Sequence, residues 1–169
     1  GYALLYDNDG DGIYDTVKIS LYDTYVVKSV SSDKKVYLKD ADIIYLDLSD
    51  KNFRQVSVTR NGEKKDVSDL AENDIIEVGI SKDKNYAEVI ATGEISGSDF
   101  LAKVEGRLIS VYENDSYAVF DVDGLVFDTT VDFWRRNKKT VSVGLNYVFY
   151  LNSDKKIAYL SDNAKGEKY

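Results

Sequence analysis

A chain of 169 residues has room for one domain or two small ones, and its 22 Lys plus Arg against 30 Asp plus Glu leave a formal charge of −8. It contains no Cys, His, Pro or Met, which removes disulfides, thiolate chemistry, His-based catalysis and the commonest transition-metal ligand. What remains suits hard cations, argues against most enzymes, and is poorly matched to nucleic acid, whose affinity comes largely from Lys and Arg on phosphates.

The chain opens directly on a strand-like run at 2–6, with Gly1 at its head and no signal peptide, and so reads as an excised piece of a longer protein. Asp7-Asn8-Asp9-Gly10-Asp11-Gly12-Ile13-Tyr14-Asp15 follows and fits the pattern D-x-D-x-D-G-x-x-D. Oxygen ligands at loop positions 1, 3 and 5 come from Asp7, Asp9 and Asp11. The Ile13 carbonyl supplies position 7 and Asp15 position 9, while Gly12 at position 6 allows the sharp turn that wraps them round one cation. Carboxylate and carbonyl oxygens at this spacing favour Ca2+, since magnesium demands a tighter octahedron and retained waters. Asp, Asn and Gly also make ordinary turns, but four aspartates in nine residues repel one another unless a cation sits among them. The loop is not an EF-hand. Position 12 is Lys18 instead of a bidentate Glu, and the flanking segments alternate as strands. The missing ligand is left to bidentate Asp15 or to water.

After the loop, residues 16–22 place Val17, Ile19 and Leu21 on one face and Thr16, Lys18 and Ser20 on the other, so the apolar face is expected to meet a core. Strands are predicted at 25–30, 35–38, 43–48, 55–60, 75–80 and 86–92, then at 103–112, 117–122, 125–128, 147–151 and 157–160. Asn61-Gly62 and Asp123-Gly124 suit tight hairpins with positive φ. Short helical turns are predicted at 68–72, with Ser68 as cap, and at 130–136. Asp40, Asp42, Asp47 and Asp50 are spread as a solvated surface, and Asp121 with Asp123 forms a hairpin turn rather than a metal site. No apolar run reaches the roughly 20 residues needed to cross a bilayer, so no membrane insertion is expected.

A weak duplication relates 27–37 to 107–117, and Ser81-Lys82-Asp83-Lys84 to Asn152-Ser153-Asp154-Lys155. Each half then holds five or six strands with a helical turn between the third and fourth, the count of a small Greek-key barrel of the OB type. The expected fold is all-β. Residues 1–94 comprise a calcium-loop hairpin and a first barrel lobe, residues 95–169 a second, and a Gly/Ser-rich linker at 93–99 joins them. Lobes of this size fold with little margin, so a bound metal ion would help.

The Asp7–Asp15 loop, the following Thr16-Val17-Lys18-Ile19 and Asp23-Thr24-Tyr25-Val26-Val27, and the step Asp69-Leu70 … Asp74-Ile75-Ile76-Glu77-Val78 resemble one family. It is that of repeated β-domains in secreted clostridial-type surface proteins that also carry S-layer homology domains. The resemblance covers most of 2–92 and, more weakly, the second half. It implies an extracellular, cell-wall or S-layer associated protein of a Gram-positive bacterium, partnered by other domains of its parent chain, and supplies no activity.

The leading expectation is therefore a non-catalytic, calcium-stabilised structural or spacer module. The alternative is a module binding carbohydrate or cell-wall polymer. It rests on Trp134, the only Trp, beside Phe133, Arg135 and Arg136, with Lys138 and Lys139 close by; the competing reading of Trp134 is a core residue or a cation–π cap. A carboxylate pair acting on glycosides is the one enzyme chemistry left open, and no residue stands out for it. Asn114-Asp115-Ser116 matches a glycosylation pattern that a bacterial source leaves idle.

Overall fold

The computed structural model describes residues 2–39, 41–92 and 103–161. Its strands are β1 (Tyr2–Tyr6), β2 (Thr16–Ser20), β3 (Asp23–Val30), β4 (Lys35–Lys39), β5 (Tyr45–Asp47), β6 (Gln55–Arg60), β7 (Glu63–Lys65), β8 (Ile75–Ile80) and β9 (Tyr86–Thr92). They continue with β10 (Lys103–Glu113), β11 (Ala118–Val122), β12 (Leu125–Asp128), β13 (Asn146–Leu151) and β14 (Ile157–Leu160). Among the described residues, helical structure is confined to a 3₁₀ turn at Val67–Asp69 and to α1 (Val131–Asn137). The protein is all-β, as the period-two alternation requires.

The strands form three sheets. β1 and β2 make an isolated antiparallel pair; the first lobe is a seven-stranded sheet ordered β5-β4-β3-β8-β9-β6-β7, and the second a five-stranded sheet ordered β12-β11-β10-β13-β14. Every neighbouring pair in the two lobes is antiparallel except β6 and β9, which run parallel from Gln55↔Tyr86 to Arg60↔Ala91. In the second lobe a parallel bridge between Thr129 and Ile157 draws the two ends of the sheet together. Both predicted dipeptides turn hairpins with positive φ: Asn61 (52°) and Gly62 (79°) join β6 to β7, and Asp123 (50°) and Gly124 (86°) join β11 to β12.

Alternation sorts the side chains into one core per lobe. Val27, Val36, Leu48, Ile76 and Val89 lead the first; Leu108, Phe120, Phe149, Leu151 and Ile157 lead the second. The duplicated turns have one geometry. Lys84 N–H donates to the Ser81 carbonyl at 2.8 Å and Lys155 N–H to the Asn152 carbonyl at 2.9 Å, each Lys at a φ near the left-handed minimum. These turns connect β8 to β9 and β13 to β14, the same place in each lobe.

Three expectations are corrected. The apolar face of β2 meets no core: Val17, Ile19 and Leu21 are 54, 66 and 76% exposed, because the β1–β2 pair joins neither lobe's sheet. The first helical turn starts at Val67, since Asp66 and not Ser68 is its cap: the Asp66 carboxylate accepts from Ser68 N–H while Asp69 accepts from Asp66 N–H. The first lobe has seven strands rather than five or six, and its 3₁₀ turn follows the fifth of them. The linker and the boundary expected at 94–95 lie outside the described residues.

The lobes touch. Val26 and Ile75 of the first pack with Tyr159 of the second, flanked by Tyr150 and Ala158. The Lys39 ammonium lies 5.7 Å from the Tyr159 ring centroid across the boundary. Ser153 donates to the buried Glu77, and Arg135 reaches Asp42 at 3.4 Å.

Candidate metal centre

The Asp7–Asp15 loop closes the β1–β2 hairpin, whose register runs from Tyr2↔Ser20 to Tyr6↔Thr16. Asp15 N–H donates to the Tyr6 carbonyl at 2.9 Å and fixes the loop's two ends. Inside it, backbone amides turn toward carboxylates. Asp7 accepts from Gly10 N–H at 2.6 Å through Oδ1 and from Gly12 N–H at 2.8 Å through Oδ2. Asp9 accepts from Asp11 N–H (3.2 Å), Asp11 from Ile13 N–H (2.7 Å) and Asp15 from Asn8 N–H (2.8 Å). Gly10 and Gly12 sit at φ of 78° and 86°, which lets their N–H groups point inward at little steric cost. The amides of Gly12 and then Gly10 hold the Asp7 carboxyl below its ordinary pKa.

One carboxylate oxygen each from Asp7, Asp9 and Asp15 lies within 4.8 Å of the others. An ionised carboxylate has about four lone-pair directions, so one that accepts an amide can still ligate. Asp11 falls outside this trio, so three of the four expected aspartates converge. Lys18, at the twelfth position, belongs to the β2 ladder opposite Leu4 and takes no part in the loop.

The second candidate site comes apart. Trp134 is 5% exposed and meets Phe120 edge-on at 6.0 Å, within a cluster that includes Phe133 and Phe149. An indole enclosed this way offers no face for a sugar ring, so the core reading of Trp134 holds and the alternative of a stacking surface is corrected. Helix α1 accounts for the difference: Thr130 caps it by accepting from Phe133 N–H, and this sets Phe133 and Trp134 inward while Arg135 and Arg136 face out. Arg135 is held by Asp132 at 3.1 Å as well as by Asp42.

A pairing that sequence reasoning missed lies at the foot of the hairpin, where Tyr22 donates to Glu88 Oε2 at 2.7 Å across 66 residues of sequence. No local signal announces it, because β9 reaches Tyr22 only through the assembled sheet. Comparison with protein-family models, curated proteins and solved structures returned no match to this chain.

Proposed function

We propose that this chain is a non-catalytic structural module whose N-terminal hairpin is organised by Ca2+. The observation that carries the reading is the convergence of Asp7, Asp9 and Asp15 oxygens within 4.8 Å at the tip of a two-stranded hairpin that joins neither lobe's sheet. Hairpins of two strands are marginal in water, and a hard cation on three carboxylates links the ends of this one. The two lobes are read as Greek-key barrels of the OB type. In support, the helical segment precedes the fourth long strand of each (β8 and β13), and the third and fifth run parallel, as the β6–β9 ladder in one and the Thr129↔Ile157 bridge in the other. The resemblance to repeated β-domains of clostridial-type surface proteins supplies the setting, the wall or S-layer of a Gram-positive bacterium, with other domains of the parent chain as partners.

The test is amide hydrogen exchange across 2–20 with calcium and with chelator. Calcium at about 100 times its dissociation constant adds roughly 2.7 kcal/mol to whatever it binds. Protection of the β1–β2 amides is expected to rise by about a hundredfold while that of β8 and β9 holds. Equal exchange in calcium and chelator sinks the proposal.

A further inference from the structure

The outward face of the first lobe's sheet divides in two. In a ladder, residues opposite one another share a face, which sets Glu77, Ile75 and Val26 in one group, under Tyr159 and Ser153 of the second lobe. Farther along the same face lie Gly79, Glu88 and Ser57, then Tyr86 and Gln55. Among the described residues, none of the second lobe lines this part of the face. A cleft of about 610 Å³ opens instead, walled by Lys18 to Tyr22 as the chain leaves the hairpin and by the β8–β9 turn with Lys82. That volume is in the range of small-ligand sites.

The floor is shaped by Gly79. A Cβ there would stand 3.0 Å from the Tyr22 ring and 3.3 Å from the Leu21 carbonyl, so the bare backbone is what lets Tyr22 lie against the sheet and reach Glu88. That bond occupies Glu88 Oε2 and leaves Oε1 with no partner among the described residues. Gln55 adds an amide and Ser57 a hydroxyl on the same face. Tyr86, 45% exposed, adds a phenol ring at the rim. Lys18 and Lys82 face the cleft without an ion-pair partner among the described residues, while Asp83 beside Lys82 is turned to Ser81 and Asn85. With Glu88 the lining sums to one positive charge, in a chain whose total is −8.

We propose that this cleft binds an acidic saccharide. A sugar ring has an apolar C–H face and a rim of hydroxyls, which match an exposed tyrosine beside an open carboxylate oxygen, an amide and a hydroxyl. A carboxylate on the sugar meets Lys18 and Lys82 in charge-assisted contacts. A phosphodiester strand would bring several charges against two lysines and a glutamate. The hairpin's acidic tip lines no part of the cleft, while its second strand supplies Lys18 to Ser20 to the wall.

The experiment is titration of the full chain, in calcium and again in chelator, with tri-galacturonate, with the neutral galactose trimer and with a four-nucleotide oligothymidylate, read by calorimetry and backbone NMR shifts. Saturable binding of tri-galacturonate is expected, with shifts at Ser57, Gly79 and Glu88, weakening in 0.5 M salt. The neutral trimer is expected to bind about tenfold more weakly. Tyr86→Ala and Lys82→Ala, both at exposed positions, are each expected to lose about tenfold, and Tyr112→Ala, an exposed tyrosine of the second lobe, nothing. No saturable binding, equal binding by the Tyr86 and Lys82 variants, or preference for the oligothymidylate overturns the proposal.

Discussion

The Ser153 hydroxyl, in the turn between β13 and β14, donates to the Glu77 carboxylate of β8, so a buried acid of one lobe takes its partner from the other. With Tyr159 packed on Val26 and Ile75 beside it, this contact joins the lobes through both polar and apolar groups. A buried acceptor that loses its donor costs about 1–3 kcal/mol. Ser153→Ala is expected to lower the unfolding free energy read from urea curves by that much, with Trp134 fluorescence and far-UV circular dichroism moving together. Two separated transitions in the wild-type chain would show that the contact does not couple the lobes.

Arg60 and Asp74 form the most enclosed ion pair of the first lobe, their side chains 13% and 6% exposed. Asp74 also accepts from Ala71 N–H at 2.7 Å, and Arg60 donates to the Asp69 carbonyl at 3.3 Å, so the pair ties β6 to the 3₁₀ turn. Removing one member strands the other, a change of about 3–5 kcal/mol. Arg60→Met is therefore expected to destabilise severely. Because the sole Trp lies in the second lobe, its unfolding curve reports whether the damage crosses over. An unshifted Trp134 transition would confine it to the first lobe.

Asp66 caps the 3₁₀ turn, and the Ser68 amide, followed by the Ser68 hydroxyl, lowers its pKa below 3.8. A carboxyl with a depressed folded pKa stabilises above its unfolded value and loses that contribution as pH falls through the folded one. Asp66→Ala is thus expected to melt earlier than wild type at pH 7, with the gap closing below pH 3.8. A gap that does not narrow as the pH falls would assign the effect to packing instead of charge.

Much of this fold is legible in the chain because it depends on neighbours in sequence. β6, β8, β9, β12 and β14 begin and end where the alternation does, and Asn61-Gly62 announces its own hairpin. β7 escaped because Glu63-Lys64-Lys65 has no apolar alternation; it is a charged edge strand, paired on one side by β6 alone. Alternation shows that Val17 and Ile19 share a face but cannot say whether anything covers it. Ligand spacing likewise marks the Asp7 loop without telling that the oxygens of Asp7, Asp9 and Asp15 converge while Asp11 falls outside them. The cleft was invisible for a third reason: Gln55 and Glu88 meet only through the parallel β6–β9 pairing, which no local pattern encodes.

Trp134 shows how the same dependence on distant partners decides a residue's role. Its ring stands at 87° to Phe120, and Phe120 in turn meets Phe133 and Phe149 edge-on, so the indole closes an aromatic cluster drawn from α1, β11 and β13. Truncating a buried Trp removes its transfer free energy and leaves a cavity, about 3–5 kcal/mol together. Trp134→Ala is expected to unfold the second lobe at ambient temperature or close to it, whereas Trp134→Phe keeps an edge-on ring and loses less. Arg135→Ala, at a side chain 59% exposed, is expected to cost under about 1 kcal/mol, as surface ion pairs do. Wild-type emission should be blue-shifted and shielded from acrylamide. Ready quenching, with Trp134→Ala as stable as wild type, would put the indole at the surface and return it to the candidates for ligand stacking.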